Sequence, residues 1–196
     1  MKRAALFATA LVSLFIWATG CTEQKNEAQH EHHHESADAK TMAGAGVAMA
    51  HCDIMPTKGN NAKGTVHFTQ TGGSVKVVAE ITGLTPNAKH GFHIHEGSEC
   101  GDDGMKAGGH YNPEKHEHGM PNADVSKRHA GDMGNLQADK DGNAHYEATF
   151  DNISINGPKN PIVNHCIIVH AKPDDGSQPT GNAGARIGCG VIKEMK

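Results

Sequence analysis

The sequence predicts an all-β domain, built as a sandwich or a barrel, and three observations support this fold class. Short runs of alternating apolar and polar residues, at 65–70 and 75–81, flank Gly72-Gly73, which is typical of a β-hairpin. The chain has 24 glycines and only 4% aromatic residues, which fits short strands joined by many turns. No segment has a persuasive helical period, so a helical bundle is disfavoured.

Ahead of this domain, the chain begins like an exported protein. Lys2 and Arg3 precede an apolar run that ends at Trp17. This run is shorter than the roughly 20 residues that a membrane-spanning helix needs. We therefore assign residues 1–20 to an export signal.

The segment after the signal, residues 21–45, is predicted to be a disordered tether, because it is polar and lacks apolar periodicity. Its first residue, Cys21, lies in a pattern similar to a bacterial lipobox, although Ala18 replaces the usual leucine. Cys21 is therefore either lipidated or simply close to an ordinary cleavage site. Four histidines in the tether either collect copper or zinc or merely keep it hydrophilic: His30, His32, His33 and His34.

The remaining residues, 46–196, are predicted to form one domain with eight strands. Two long stretches, 96–131 and 171–184, resist strand assignment, and loops of this length in a compact domain are usually functional. The formal net charge of −4 argues against a nucleic-acid partner, because there is no basic stripe. The strand candidates are 46–55, 65–70, 75–81, 90–95, 133–138, 144–150, 164–170 and 185–192.

Histidine content points to metal chemistry, since the chain has 16 histidines and imidazole is the commonest protein metal ligand. His93 and His95 are two positions apart on a predicted strand, so both rings point to one face and can reach one metal. His170 ends another apolar strand. Three imidazoles and a carboxylate would suit a tetrahedral zinc ion, and the first long loop and the residue that follows it offer His110, His116, His118, His129 and Asp132.

Four segments, 91–96, 109–113, 129–132 and 181–190, resemble the signature segments of copper–zinc superoxide dismutases, especially the bacterial exported branch. The resemblance runs from about residue 47 to the C-terminus. It implies an eight-stranded Greek-key β-barrel that converts superoxide to oxygen and hydrogen peroxide, with one copper and one zinc per chain. The alternative is an exported copper- or zinc-binding or metal-delivery protein without this activity.

The resemblance also implies a ligand set. His118 is preferred over its neighbour His116, because it precedes Gly119-Met120-Pro121 as in the family pattern. His110 would bridge both metals and take part in catalysis. Copper would be bound by His93, His95, His110 and His170, and zinc by His110, His118, His129 and Asp132.

Residues around the ligands also match the family. Asp174 would accept hydrogen bonds from one copper ligand and one zinc ligand, and Arg186 would guide the superoxide anion to the copper. Lys106, in the first long loop, is our hypothesis for an additional steering charge.

The cysteines and the cellular location complete the expectations. By resemblance Cys100 pairs with Cys189, whereas Cys52 and Cys166 could form a second disulfide or remain two buried thiols. The expected location is the bacterial periplasm or cell envelope, with a membrane tether at Cys21. The family includes both monomers and homodimers, so the oligomeric state stays open.

Overall fold

The computed structural model describes residues 47–196. The predicted export signal, the tether with its histidines, and Cys21 lie outside these residues. Within the part that the structure describes, no helix is long and apolar enough to cross a membrane.

The described residues form a β-barrel of nine antiparallel strands and two short 3₁₀ helices, which confirms the predicted fold class. The barrel order is β5-β4-β7-β8-β1-β2-β3-β6, so the chain crosses over after β3 and after β6, as in a Greek key. The helices span Met105–Ala107 and Val125–Lys127. The strands are β1 (Ala48–Pro56), β2 (Lys63–Thr71), β3 (Ser74–Thr82), β4 (Lys89–His95), β5 (Asp132–Gln137), β6 (Ala144–Phe150), β7 (Cys166–His170), β8 (Arg186–Val191) and β9 (Lys193–Met195).

Every second side chain along a strand points inward, and these side chains fill the barrel core. On β3 the buried side chains are Val75, Val77, Ala79 and Ile81, every second residue, which point into the core. The ninth strand, β9, was not predicted. Its three residues are exposed and pair with β1, so they carry no apolar alternation that sequence could reveal.

The first long loop, 96–131, is fastened to β4 at Ile94. The Ile94 carbonyl accepts from Tyr111 N, and Ile94 N donates to the Gly131 carbonyl, both at 2.9 Å. A Cβ at position 131 would lie 2.2 Å from the Ile94 carbonyl oxygen, so the close approach requires glycine. The fastening holds both ends of the histidine-rich part of the loop against the barrel.

Candidate metal centre

Three of the predicted site residues are positioned by neighbouring strands. His93 and His95 on β4 are both buried, while Ile94 between them packs in the barrel core. His170 ends β7, which pairs with β4. The loop residue His110 joins them through an isolated β-bridge to His95. One ring nitrogen from each of these residues lies within 4.8 Å of the others. We call the four residues the four-histidine group: His93, His95, His110 and His170.

Backbone carbonyls orient two rings of this group. His95 Nδ1 donates to the Gly108 carbonyl at 2.9 Å, and His170 Nδ1 donates to the Gly184 carbonyl at 3.1 Å. Because carbonyls only accept, both protons lie on Nδ1 and both Nε2 atoms carry lone pairs. The two Nε2 atoms face each other at 3.3 Å. Two acceptors in this arrangement are favourable when a cation lies between them.

A second set of side chains meets around Asp132, the first residue of β5. Its carboxylate oxygens lie 2.9, 3.0 and 3.1 Å from Nδ1 of His110, His118 and His129, respectively. Backbone N–H groups of His129 and Gly119 also donate to Asp132, at 2.8 and 3.0 Å. The four ligand atoms lie within 4.8 Å of one another, and we call these residues the mixed group: His110, His118, His129 and Asp132.

His110 belongs to both groups, which therefore lie side by side. Its Nδ1 faces Asp132 at 2.9 Å, so Nε2 is the nitrogen left for the four-histidine group. The rings of His93 and His110 lie with their centroids 4.1 Å apart. His116, the local rival of His118, is half-buried outside both groups, with Nδ1 bonded to the Val125 carbonyl at 2.9 Å.

Asp174 contacts one histidine from each group. Its two oxygens lie 2.9 Å from His93 Nε2 and 3.0 Å from His118 Nε2, and all three side chains are fully buried. The contacts occupy the outer nitrogen of each ring and leave Nδ1 facing the group. Gly181 makes room for this carboxylate, since a Cβ there would lie 2.0 Å from Asp174 Oδ1.

Two residues that the sequence did not reveal clamp this arrangement. The Asn135 side chain on β5 donates to the Asp174 carbonyl at 2.9 Å and accepts from Asp174 N at 2.7 Å. The Gln178 side chain does the same for the backbone of His118, at 2.8 and 3.0 Å. Each clamp joins residues 39 or 60 positions apart, so no local pattern could have indicated it.

Three rings of the four-histidine group favour the neutral form. Burial lowers the pKa of His170 to about 3 and, against the hydrogen bond to Asp132, lowers the pKa of His110 to about 4. Burial and then the neighbouring His110 hold the pKa of His95 well below its usual value. These rings are therefore ready to bind a metal at neutral pH without first losing a proton.

Two members of the mixed group, His118 and Asp132, favour their charged forms. Burial lowers the pKa of His118, but the adjacent carboxylates of Asp132 and Asp174 outweigh it and raise that pKa to about 9. Burial raises the pKa of Asp132, yet the surrounding histidines hold it far below its usual value. Without a metal, this half is a buried network of carboxylates and a protonated imidazole.

Arg186, the first residue of β8, lines a pocket of about 290 Å³ beside the four-histidine group, together with His95, His110 and His170. Its guanidinium donates to the carbonyls of Gly104 and Gly108. The Gly108 carbonyl also accepts from His95 Nδ1, so one peptide group positions both the cation and a histidine of the group. The pocket is an open approach for a small anion.

The cysteines fall into two kinds. Cys100 in the first loop and Cys189 on β8 form a disulfide with Cα atoms 5.8 Å apart. Among the described cysteines, Cys52 and Cys166 are free and buried, which is the second of the two alternatives left open by the sequence. Burial raises the pKa of the Cys166 thiol to about 11, so this thiol is protonated at neutral pH.

The metal-ligand atoms of the two groups suit copper and zinc. Imidazoles bind both metals, and three histidines with one carboxylate form a common tetrahedral zinc shell. His93 Nδ1 is fully buried without a hydrogen-bond partner among the described residues. His118 Nδ1 lies 3.0 Å from Asp132 but is not aligned for a hydrogen bond. One buried ring nitrogen without a hydrogen-bond partner in each group fits a metal ion as that partner.

Comparisons with known proteins agree with this chemistry. Residues 62–192 match the family model described as copper/zinc superoxide dismutase. The chain is 44% identical to the Cu-Zn superoxide dismutase of Paramecium bursaria Chlorella virus 1 over 141 residues, 68% of this chain and 74% of that protein. It is 36% identical to the extracellular Cu-Zn superoxide dismutase of Brugia pahangi over 162 residues, 78% of this chain and 77% of that protein.

Among solved structures, the crystal structure of the clock protein EA4 superposes with a TM-score of 0.67 and 37% identity, covering 75% of this chain and 94% of that one. Of the two functions that the sequence left open, these matches support the dismutase. The chain therefore belongs to the copper/zinc superoxide dismutase family, and it is an oxidoreductase that converts superoxide to oxygen and hydrogen peroxide with copper and zinc as its cofactors.

Proposed function

We propose that the four-histidine group binds the copper and the mixed group binds the zinc, with His110 as a ligand of both. The observation that carries this assignment is that the two groups share one ring. The donors support the division, because the mixed group contains the carboxylate and has the composition of a closed zinc shell. The open pocket lies at the four-histidine group, where substrate must arrive.

When bound, the copper supplies one-electron redox chemistry and the zinc supplies a fixed positive charge. Arg186 attracts superoxide to the pocket, since its guanidinium is charged at any working pH and offers two-pronged hydrogen bonding. His110 Nε2 holds a proton during one half of the cycle and gives it to the forming peroxide in the other. Two superoxide anions and two protons thereby yield one oxygen and one hydrogen peroxide.

Asp174 supports both groups. By accepting from His93 Nε2 and His118 Nε2, it keeps the protons on the outer nitrogens and the Nδ1 lone pairs directed inward. The disulfide has a related role, because it ties the loop that carries the Gly108 carbonyl to β8, which carries Arg186.

The test is His110→Ala, with metal content and dismutase activity measured on the same sample. We expect both metals to bind more weakly and activity to fall more than about 100-fold, since loss of even an outer partner of a ligand costs 10–100-fold. His116→Ala is the matched control, a loop histidine outside both groups. If His110→Ala kept one copper, one zinc and full activity, the shared-ligand assignment would be wrong.

For the cellular location we propose export to the cell envelope of a bacterium, with residues 1–20 removed and Cys21 lipidated. The basic and apolar start of the sequence and the lipobox-like pattern support it. The Brugia pahangi relative is named as extracellular. Cys21→Ser should move the protein from the membrane fraction to the soluble exported fraction. A wild-type protein already soluble and without lipid by mass spectrometry would leave only the cleaved signal.

Domain organisation and assembly follow from the same proposal. Residues 21–45 act as the tether and 46–196 as the catalytic domain, a monomer or a homodimer that sedimentation distinguishes. To test whether the tether histidines deliver copper to the catalytic domain, the copper content of a tail-deleted protein is compared with that of the full chain at limiting copper. Equal loading of the two would remove the delivery role.

A further inference from the structure

A third group of possible ligands lies outside the dismutase centre. The sulfur atoms of Cys100, Cys166 and Cys189 all lie within 4.8 Å of one another. Cys166 takes no part in the disulfide or in the chemistry proposed above. The cluster is therefore a buried thiol placed directly against a disulfide.

The fold builds this cluster from two strands and a loop. In the pairing of β7 with β8, Cys166 faces Val191 and Ile168 faces Cys189, so the two cysteines are diagonal neighbours. The loop then brings Cys100 over the pair. Ala107 and Ile168 complete a small apolar cluster, separate from the barrel core, in which Cys166 is fully buried and Cys189 is 3% exposed.

A surface pocket of about 220 Å³ lies beside the cluster, and Cys100 and Cys189 form part of its wall. Met55, which is 64% exposed, lines the same pocket and offers a thioether. The pocket is also lined by one negatively charged side chain, Asp53, and one positively charged side chain, Lys193. The cluster thus has a side that faces solvent, and the same pocket wall carries a soft sulfur atom.

We propose that, in the dithiol form of the chain, Cys100, Cys166 and Cys189 together bind one Cu(I) ion. Three thiolates with a nearby thioether are soft ligands, which favour Cu(I). Zinc prefers four ligands, and the mixed group already offers it a complete set.

The site and the disulfide exclude each other. Reduction of the disulfide by a dithiol reagent adds two electrons and two protons and yields the Cys100 and Cys189 thiols. Cu(I) then replaces the proton of each thiol that binds it, and the copper keeps its oxidation state. In the oxidised chain Cys166 is the one thiol left in this cluster, so the site belongs to the chain before its disulfide closes.

The test uses metal-free full-length protein, reduced with a dithiol and desalted without oxygen, then titrated with Cu(I). X-ray absorption counts sulfur neighbours, and near-ultraviolet sulfur-to-copper absorption reports only sulfur-bound copper. Copper held by the four-histidine group does not contribute to this band, and at less than one Cu(I) per chain the X-ray sulfur count reports the tighter of the two sites. A competing Cu(I) chelator gives the affinity of the sulfur-bound ion.

The variants are Cys166→Ser and, as the matched control, Cys52→Ser, which changes the other buried free thiol, outside the cluster. Reduced wild type and Cys52→Ser should show three sulfur neighbours. Cys166→Ser should show two, with affinity at least about tenfold weaker. Oxidised, metal-loaded Cys166→Ser should keep normal dismutase activity, which verifies its fold and separates this proposal from the enzyme assignment.

Four results would overturn the proposal. The first three are a reduced wild type without sulfur-bound copper, a Cys166→Ser protein that matches wild type, and an oxidised wild type that binds copper as the reduced one does. A urea-unfolded chain with the same affinity would also overturn it, because the fold would then contribute nothing to the site. Protection of Cys100 from alkylation by bound Cu(I) is the expected supporting result.

Discussion

The two halves of the metal centre are held in place by different means. In the four-histidine group, three members lie on paired strands, and two outer nitrogens donate to the carbonyls of Gly108 and Gly184. In the mixed group, His118 and His129 come from a loop and are gathered around Asp132. One half is organised by neutral backbone contacts and the other by buried charge.

This difference has consequences for the protein without metals. Burial lowers the pKa of His95, His110 and His170, so these three rings are stable as neutral imidazoles. The mixed group raises the pKa of His118 to about 9 and therefore keeps a buried cation that needs its carboxylates. Loss of a partner should accordingly cost much more in the mixed group.

The largest expected effect comes from Asp132→Ala. We expect the free energy of unfolding of the metal-free protein to fall by about 3–5 kcal/mol, because the buried charge of His118 loses a partner. His170→Ala, the comparable loss in the four-histidine group, should cost about 1–2 kcal/mol, since it removes a neutral ring with one hydrogen bond to a carbonyl. Urea unfolding of the metal-free proteins measures both.

The control for this pair is Glu147→Ala, which removes a half-exposed carboxylate 2.7 Å from the half-exposed Lys76 and should change stability far less than either variant. Equal destabilisation by Asp132→Ala and His170→Ala would contradict the division into a charged and a neutral half.

The next effect is on metal affinity. Asp174→Asn should weaken zinc binding about 10–100-fold and copper binding less, although Asp174 contacts both His93 and His118. The asymmetry is expected because β4 fixes the backbone of His93, whereas His118 lies on a loop. Competition with a chelator measures each affinity, and Asp175→Asn, at the exposed neighbouring carboxylate, is the control. A larger loss of copper than of zinc would contradict the prediction.

The local sequence pattern was sufficient to predict the strand residues of the four-histidine group. The two-residue spacing of His93 and His95 placed both rings on one face of β4, and the lengths of the two unassigned stretches marked the loops. The structure brings all seven predicted ligand side chains into the two groups and places Asp174 between them. Their roles as ligands remain predictions until metals are measured.

The supporting contacts could not be predicted, because they join distant parts of the chain. Asn135 and Gln178 are ordinary polar residues in the sequence, and only the fold brings them to the backbone of Asp174 and His118. The proximity of Cys166 to the disulfide likewise depends on the register of β7 against β8. Spacing indicates ligands that share an element, whereas long-range register decides which residues hold them.

The pH dependence of the stability of the metal-free protein should again distinguish the four-histidine group from the mixed group. The folded-state pKa values of His110 and His170 are lowered to about 4 and about 3, so their stabilisation is complete above the unfolded value of 6.5 and is lost as pH falls toward 4 and below. The pKa of His118 is raised to about 9, so its stabilisation is complete below 6.5 and is lost as pH rises through 9. Each proton changes stability by about 1.4 kcal/mol per pH unit.

Urea unfolding between pH 4 and 10 tests this assignment. His170→Asn should flatten the acid side of the stability curve and His118→Asn the alkaline side. The buried thiol of Cys166 also destabilises the fold at alkaline pH, because its pKa is raised to about 11. The comparison is therefore the difference between each variant and wild type. Identical curve shapes for the two variants would show that the halves do not titrate separately.

The smallest expected effect concerns steering outside both halves. Lys106 lies in the 3₁₀ helix Met105–Ala107 beside the pocket that Arg186 lines, and its ammonium group is 3.3 Å from Glu99. Lys106→Glu should lower the rate with superoxide about 1.4- to fivefold at low salt, the equivalent of the 0.2–1 kcal/mol typical of exposed charge pairs. Glu99→Gln should raise the rate slightly, because it releases the lysine charge.

Salt dependence decides whether Lys106 acts through its charge on the approaching anion. At 0.15 M salt, where the screening length is about 8 Å, the difference from wild type should shrink. Lys140→Glu is the matched control, since Lys140 is an exposed lysine paired with Asp141 on the turn before β6. A salt-independent loss in Lys106→Glu would indicate a disturbed loop rather than steering. The same loss in Lys140→Glu would indicate an effect of net charge alone, and in either case approach would depend on Arg186 without help from Lys106.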